Sequence, residues 1–231
     1  MMGRRPLLLL LTILLLLPLC GCGEALTGTR EGRYFECDRR GDTVRKVTVR
    51  ESEGGKTLFT AAIDSDFPTD SLDEALTFAD LNFDGEADLL IRTSGAEERA
   101  RYDVFLWHPS RRTYVKNSLL CSWYEPTADP ATGEVTGHVE TIEHEERVDD
   151  GGERYTVYTY ERTTVRARYD GASLIPFYTE GVRYYSESDI YCYVVSEAGE
   201  YGELEEVREI WLRPDKFANS PYASLMPSLP E

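Results

Sequence analysis

The chain has 231 residues, of which 42 are acidic and 25 are lysine or arginine, for a formal net charge of −17 at pH 7. This balance disfavours nucleic acid and anionic lipid headgroups as partners and favours cations or cationic partners, although a hydrated surface accounts for most charge of this kind. The five cysteines are too few for a disulfide scaffold and lack the spacing of metal ligands.

The first 21 residues have the pattern of a lipoprotein signal peptide. Two arginines precede the aliphatic run 7–19, which is shorter than the roughly 18 apolar residues that a membrane span needs. The next residues, Leu-Cys-Gly-Cys, resemble a bacterial lipobox, with the small Gly21 directly before Cys22. We therefore expect cleavage before Cys22, lipidation of its thiol, and a protein anchored in the cell membrane that faces the periplasm or the cell surface.

An ordinary secretory signal that is cleaved nearby is the alternative to lipidation. Cys20 is a second possible attachment point, although the bulky Leu19 precedes it where the signal peptidase needs a small residue. Export is expected in either case. Residues 22–33 lack periodicity and are predicted to be a short tether between the membrane and the folded domain.

An apolar period of two predicts β-structure over residues 34–217. No segment keeps an apolar pattern at helical spacing, and polar turns recur every eight to fifteen residues or so. We expect one all-β, antiparallel multi-hairpin domain, with a surface loop at 125–133 and an irregular C-terminal tail at 218–231. The predicted hairpins pair 44–49 with 57–63, 102–107 with 114–116, 136–148 with 154–168, and 182–196 with 204–212.

The stretch 80–88, Asp-Leu-Asn-Phe-Asp-Gly-Glu-Ala-Asp, has the spacing of a calcium-binding loop. Its three aspartates repel one another unless a hard cation lies between them, and Ca²⁺ takes about six to eight oxygen ligands. An acidic turn without a metal is the alternative. The predicted ligands are the side chains of Asp80, Asn82, Asp84 and Asp88 and the backbone carbonyl of Glu86.

The loop is not an EF-hand, because Ile91 stands at the twelfth place, where an EF-hand has a bidentate glutamate. Residues 76–135 resemble exported bacterial proteins that carry one D-x-N-x-D-G-x-x-D loop of the FG-GAP (integrin-type) kind, followed by a strand and a Tyr- and Trp-rich hairpin. The resemblance implies a β-propeller-like domain and a binding protein, and some such relatives are periplasmic inhibitors of peptidoglycan-cleaving enzymes. With a single loop, a regular seven-bladed propeller is not expected.

Other constellations are less specific. His138, Glu140 and His144 share one face of a predicted strand, which would suit zinc, but a solvated, charged hairpin face is the preferred interpretation. The sequence contains no nucleophile elbow, zinc-protease helix or phosphate-binding loop. Cys37, Cys121 and Cys192 are expected to be buried thiols, with one disulfide possible.

These patterns predict a lipid-anchored, calcium-binding and non-enzymatic module for an envelope protein or glycan, with no role for nucleic acid. Part of the large tyrosine set on the strands is expected to be exposed for binding. One alternative is an immunity-type inhibitor of a peptidoglycan hydrolase, with acidic loops that plug a basic or glycan-binding cleft. The other is a carbohydrate-active enzyme, although no pair of carboxylates stands out from the sequence.

Overall fold

The structure is a computed structural model that describes residues 22–95, 99–199 and 202–226. Within these ranges the chain forms fourteen β-strands and three one-turn α-helices, which confirms the all-β prediction. Neighbouring strands pair antiparallel in two sheets, and neither sheet closes on itself within the described residues. Nowhere in these ranges is a helix long and apolar enough to cross a bilayer.

The first sheet is a four-stranded meander in which each strand pairs with the next along the chain. The turn between its first two strands has two residues, Glu31 and Gly32, both with positive φ (48° and 69°). This geometry matches the twist of the flanking strands and allows the tight hairpin. The strands are β1 (Cys22–Arg30), β2 (Arg33–Arg40), β3 (Thr43–Arg50) and β4 (Thr57–Ala62).

The second sheet has ten strands and contains the rest of the β-structure. Its strands are β5 (Leu76–Ala79), β6 (Asp88–Ser94), β7 (Arg101–His108), β8 (Thr113–Lys116), β9 (Tyr124–Asp129), β10 (Glu134–Val148), β11 (Arg154–Asp170), β12 (Ser173–Tyr185), β13 (Ile190–Ala198) and β14 (Leu204–Leu212). The spatial order is β14-β13-β12-β11-β10-β9-β7-β6-β5, and β8 pairs with β7 beside this path. The helices are α1 (Leu72–Ala75), α2 (Ser118–Cys121) and α3 (Pro214–Phe217).

Strand β6 lies between two hydrophobic clusters. Leu89 and Ile91 belong to the first cluster, which the four-stranded sheet covers with Phe35 and the valines of β3. Leu90, which points to the other face, packs in a second cluster with α2, β10 and β11. Because both faces are covered, the start of β6 is a continuous buried run instead of an alternating one.

A third cluster packs the C-terminal residues onto β11–β14. Tyr222 stacks on Tyr193 with ring centroids 3.9 Å apart, and Met226 is buried. Residues 218–226 are irregular, as predicted, with one short 3₁₀-helix at Ala223–Leu225, but their description as a tail is wrong because they complete this core. The rest of the predicted tail lies outside the described residues.

The predicted tether at 22–33 is also wrong, because residues 22–30 form β1. Leu26 pairs with Cys37 of β2 and packs against the first cluster. Glycine and threonine hide the alternation here, so the pattern gave no strand signal. The predicted signal peptide lies outside the described residues.

Two further predictions needed correction. The predicted strand 182–196 is interrupted at residues 186–189, where Asp189 has a φ of 48°, and it belongs to β12 and β13. The predicted surface loop at 125–133 contains β9, even though Pro126 lacks an N–H group. The proline is tolerated because it lies where the β9–β10 register shifts. The other predicted hairpins are confirmed as β3–β4, β7–β8 and β10–β11.

Candidate functional site

The predicted calcium loop connects β5 to β6, which pair from Leu76–Ile91 to Ala79–Asp88. Two of its residues are left-handed, Phe83 with a φ of 59° and Gly85 with a φ of 84°. Glycine adopts this conformation without a steric penalty, whereas a phenylalanine there needs support from its surroundings. The support comes from the second cluster, in which the Phe83 ring packs.

The side-chain oxygens of three predicted ligands accept hydrogen bonds from backbone N–H groups of the loop. The two carboxylate oxygens of Asp80 accept hydrogen bonds from the backbone N–H groups of Asp84 (3.1 Å) and Gly85 (2.9 Å). Asn82 Oδ1 accepts from the Asp84 N–H at 3.2 Å, and Asp84 Oδ1 accepts from the Glu86 N–H at 2.9 Å. The structure therefore brings Asp80, Asn82 and Asp84 together at one turn of the chain.

Asp88 has a role that its spacing did not reveal. Its side chain is fully buried, with Oδ2 accepting from the Leu81 N–H at 2.8 Å and Oδ1 from the Trp107 N–H at 2.7 Å. The carboxylate thus joins the start of the loop, its end and the neighbouring strand β7. Burial raises the pKa of Asp88 to about 7; the two N–H bonds oppose the shift, and the charges of Asp84 and Asp80 add to it.

Glu86 is turned away from the loop by an ion pair. Its carboxylate lies 3.2 Å from the guanidinium of Arg33, which is stacked 3.7 Å above the centroid of the Trp107 ring and donates to the Tyr114 hydroxyl at 3.2 Å. Arg33 opens β2 and is largely buried, so this contact fastens the loop to the four-stranded sheet. Nothing in the sequence marks Arg33 as part of the site.

The chemistry of the donor set suits Ca²⁺ better than zinc or copper, because every predicted ligand is an oxygen. Each carboxylate oxygen has two acceptor positions, so one N–H bond leaves the other for a cation. Within the described ranges, however, no group of three or more Asp, Glu, His or Cys residues suits a metal ion. A calcium ion here therefore needs the Asn82 amide oxygen and the Glu86 carbonyl in addition to the aspartates.

A cleft of about 470 Å³ opens beside the loop. Asn82 and Asp84 contribute polar groups to its lining, and Leu106, Trp107 and Val115 contribute apolar surface. Tyr169 also lines the cleft, and its buried hydroxyl has no hydrogen-bond partner among the described residues. Burial raises the pKa of Tyr169 to about 12, with the three loop aspartates contributing.

The His138, Glu140 and His144 set does not form a metal site. Glu140 is mostly buried and lies 3.1 Å from the Arg99 guanidinium and 3.7 Å from that of Arg162. His138 Nδ1 lies 3.1 Å from the Thr164 hydroxyl, and burial lowers the pKa of His138, with Arg162 contributing. The expectation of a solvated face is corrected for Glu140, whose partner Arg99 is too far along the chain for the sequence to indicate the pair.

Cys37, Cys121 and Cys192 are free thiols. Cys37 and Cys192 are buried, in agreement with the prediction, and Cys121 is half-buried. Burial raises the pKa of Cys37 to about 12, so its thiol stays protonated and unreactive at neutral pH.

Asp88→Ala should destabilise the protein even when calcium is chelated. The variant leaves the Leu81 and Trp107 N–H groups buried without acceptors, at about 1–3 kcal/mol each, partly offset by removal of a buried carboxylate. We expect a loss of about 2–4 kcal/mol in the free energy of unfolding, measured by urea denaturation in EGTA at pH 7. Asp84→Ala, at an exposed position, is the control and should cost less than about 1 kcal/mol. Equal losses for the two variants would contradict this role of Asp88.

Comparison with known proteins gives a similarity of fold alone. No family model matches the chain, and no curated protein matches it. A solved structure of a protein described as a Xanthomonas type IV secretion system related protein is similar at a TM-score of 0.51 and 12% identity. The match covers 80% of this chain and 93% of that protein. At this identity it shows a shared all-β fold and assigns no role to any residue.

Proposed function

We propose that the protein is a non-enzymatic binding module of the cell envelope, lipid-anchored through Cys22 on the extracytoplasmic side of the membrane. The observation that carries the proposal is a set of large apolar side chains exposed on strands of an otherwise acidic surface. Val148 and Tyr155 lie on the β10–β11 hairpin, and Val207 and Trp211 on the edge strand β14. Large apolar side chains that an acidic surface leaves exposed are found where a partner binds.

The proposal includes one structural Ca²⁺ in the β5–β6 loop, within a β-propeller-like domain. Asp80, Asn82, Asp84, Asp88 and the Glu86 carbonyl would hold the ion. When bound, Ca²⁺ supplies positive charge that offsets the repulsion among the aspartates. Sites of this kind outside the cell work at free calcium of roughly 10⁻⁴–10⁻³ M, so the ion would be a permanent part of the fold there.

A second candidate function is inhibition of a peptidoglycan hydrolase. The β10–β11 hairpin favours it, because β9 pairs with β10 only as far as His138 and β12 pairs with β11 only from Thr159. Residues 143–158 therefore extend beyond the neighbouring strands as a two-stranded projection. Its end is acidic and would suit a cationic cleft, with Glu143, Glu145, Glu146, Asp149, Asp150 and Glu153 against Arg147 and Arg154.

Calcium should bind the purified protein and raise its melting temperature. At tenfold excess over the dissociation constant the expected stabilisation is about 1.4 kcal/mol. Asp84→Ala should abolish both the calorimetric heat and the shift. Glu86→Gln is the control and should retain both, because only its backbone carbonyl is a predicted ligand. The calcium assignment fails if the wild type shows neither heat nor a shift.

Cys22→Ala should prevent incorporation of labelled palmitate and move the protein from the membrane fraction to the soluble fraction. Cys20→Ala is the matched control and should leave both properties unchanged, since a small residue precedes only Cys22. Loss of label in the Cys20 variant with retention in the Cys22 variant would shift the anchor to Cys20. Absence of label from the wild type would contradict lipidation.

Residues 22–231 carrying Cys22→Ala, which lack the signal peptide and the lipid, should bind either purified peptidoglycan or a basic peptidoglycan hydrolase without cleaving glycan. Co-sedimentation with peptidoglycan tests the first partner class, and inhibition of c-type lysozyme tests the second. Release of reducing ends from a panel of glycans by the protein alone would instead identify a carbohydrate-active enzyme. Failure to bind either partner would overturn the proposed function.

A further inference from the structure

Strands β11–β14 present two unlike faces. One face carries Tyr160, Val182 and Tyr193 and is covered by the C-terminal residues Phe217 and Met226. Side chains alternate between faces along each strand, so the neighbouring residues point the other way. On this second face, four residues are paired side by side across the strands: Glu161, Arg183, Cys192 and Trp211.

Trp211 is the most prominent residue of this second face. It is 54% exposed, and its ring stacks on Tyr185 with centroids 5.4 Å apart and an interplanar angle of 26°. Its indole N–H donates to the Glu209 carboxylate at 3.4 Å. An exposed tryptophan that its neighbours already hold in place loses little conformational entropy on binding, which is the property of an interface anchor.

The apolar surface continues along β14. This strand lies at the end of the ten-stranded sheet, and its outer edge pairs with no strand in the described part of the chain. Val207 is 56% exposed and Leu204 is 40% exposed. Val207 lies where the β13–β14 register shifts, between Glu206 and Arg208. Such a bulge discourages open-ended strand pairing, so this surface suits side-chain docking better than strand addition.

The charges around Trp211 favour a cationic partner. Arg183 is already paired with Glu161 at 2.8 Å and Glu206 at 3.0 Å, so its charge is neutralised within the protein. Glu209 lies on the same face of β14 as Trp211, whereas Glu205 and Arg208, the one basic residue of that strand, pair with Glu197 and Val195 of the opposite face. The surface therefore surrounds its aromatic anchor with a net negative charge.

A groove leads from Tyr185, the residue on which Trp211 stacks, toward the β10–β11 hairpin. It consists of two adjoining clefts of about 210 and 300 Å³, which share Glu143, Thr159 and Tyr185 as lining residues. An arginine or lysine of a partner finds here both an aromatic ring to stack on and carboxylates to pair with. A neutral glycan would use the ring and leave the carboxylates without a charge partner.

We propose that this face of β11–β14, centred on Trp211 and Tyr185, is the docking surface for a cationic protein. The inference rests on the proposed binding function and narrows it to one partner class and one face. Trp211 is the anchor, Glu209 orients it and meets the partner's positive charge, and the bulged edge of β14 extends the contact. Complementary charge should speed association and make the affinity depend on salt.

The test uses c-type lysozyme as the cationic probe and residues 22–231 carrying Cys22→Ala, saturated with calcium. Binding is measured by biolayer interferometry at about 50 and 300 mM NaCl. We expect Trp211→Ala to weaken affinity at least tenfold and Glu209→Lys to weaken it with a smaller salt dependence. Ile175→Ala is the control, since Ile175 is similarly exposed but lies at the far end of β12. It should change affinity by less than about twofold.

Each other outcome overturns a defined part of the proposal. If lysozyme binds and neither Trp211→Ala nor Glu209→Lys weakens it, the face is wrong and the binding function stands. If lysozyme does not bind but peptidoglycan does, the cationic partner class is wrong and the binding function again stands. If neither binds, the proposed function fails as well. Because Glu209 is exposed, the Glu209→Lys variant keeps the test valid if Trp211→Ala fails to fold.

Discussion

The buried Asp88 carboxylate is the interaction on which the arrangement of this protein depends most. It accepts one backbone hydrogen bond from Leu81, near the start of the loop that it closes, and one from Trp107 in the neighbouring strand β7. Burial of a charged carboxylate costs free energy because the group loses its hydration. The two N–H hydrogen bonds offset only part of this cost, so the pKa of Asp88 stays raised. Asp88 thus holds the loop in place, and its buried negative charge remains unfavourable. A bound cation would reduce that unfavourable energy.

The loop also links the two sheets. Arg33, at the start of β2, reaches from the four-stranded sheet to Glu86 in the loop and to the ring of Trp107 in β7. Asp88 bonds to the backbone of the same Trp107. One tryptophan therefore receives a contact from each sheet. In the proposed function, the ion stabilises the fold, and the partner binds elsewhere, on one face of β11–β14.

The sequence was most informative where local chemistry decides structure. Alternation and turn residues predicted the hairpins β3–β4, β7–β8 and β10–β11, and the spacing of Asp80, Asn82 and Asp84 predicted three side chains that do meet in one turn. It was least informative where distant partners decide. The inward role of Asp88 needs the Trp107 backbone, Glu140 needs Arg99, and β1 needs the hydrogen bonds of β2, none of which a local pattern contains. Residues 218–226 are irregular, as predicted, but their packing against the core depends on stacking with β13, which a local pattern does not contain.

Strand β1 begins at Cys22, in register with Arg40 at the end of β2. In the proposed lipidated form, the acyl chains would therefore be attached to the first residue of a hydrogen-bonded strand, with no flexible linker between the membrane and the folded domain. The four-stranded sheet would rest against the headgroups, and the exposed Arg40 beside the anchor would offset the repulsion between an acidic protein and anionic lipid. The anchor would then restrict the orientation of the protein on the membrane, and a partner would bind close to the bilayer surface.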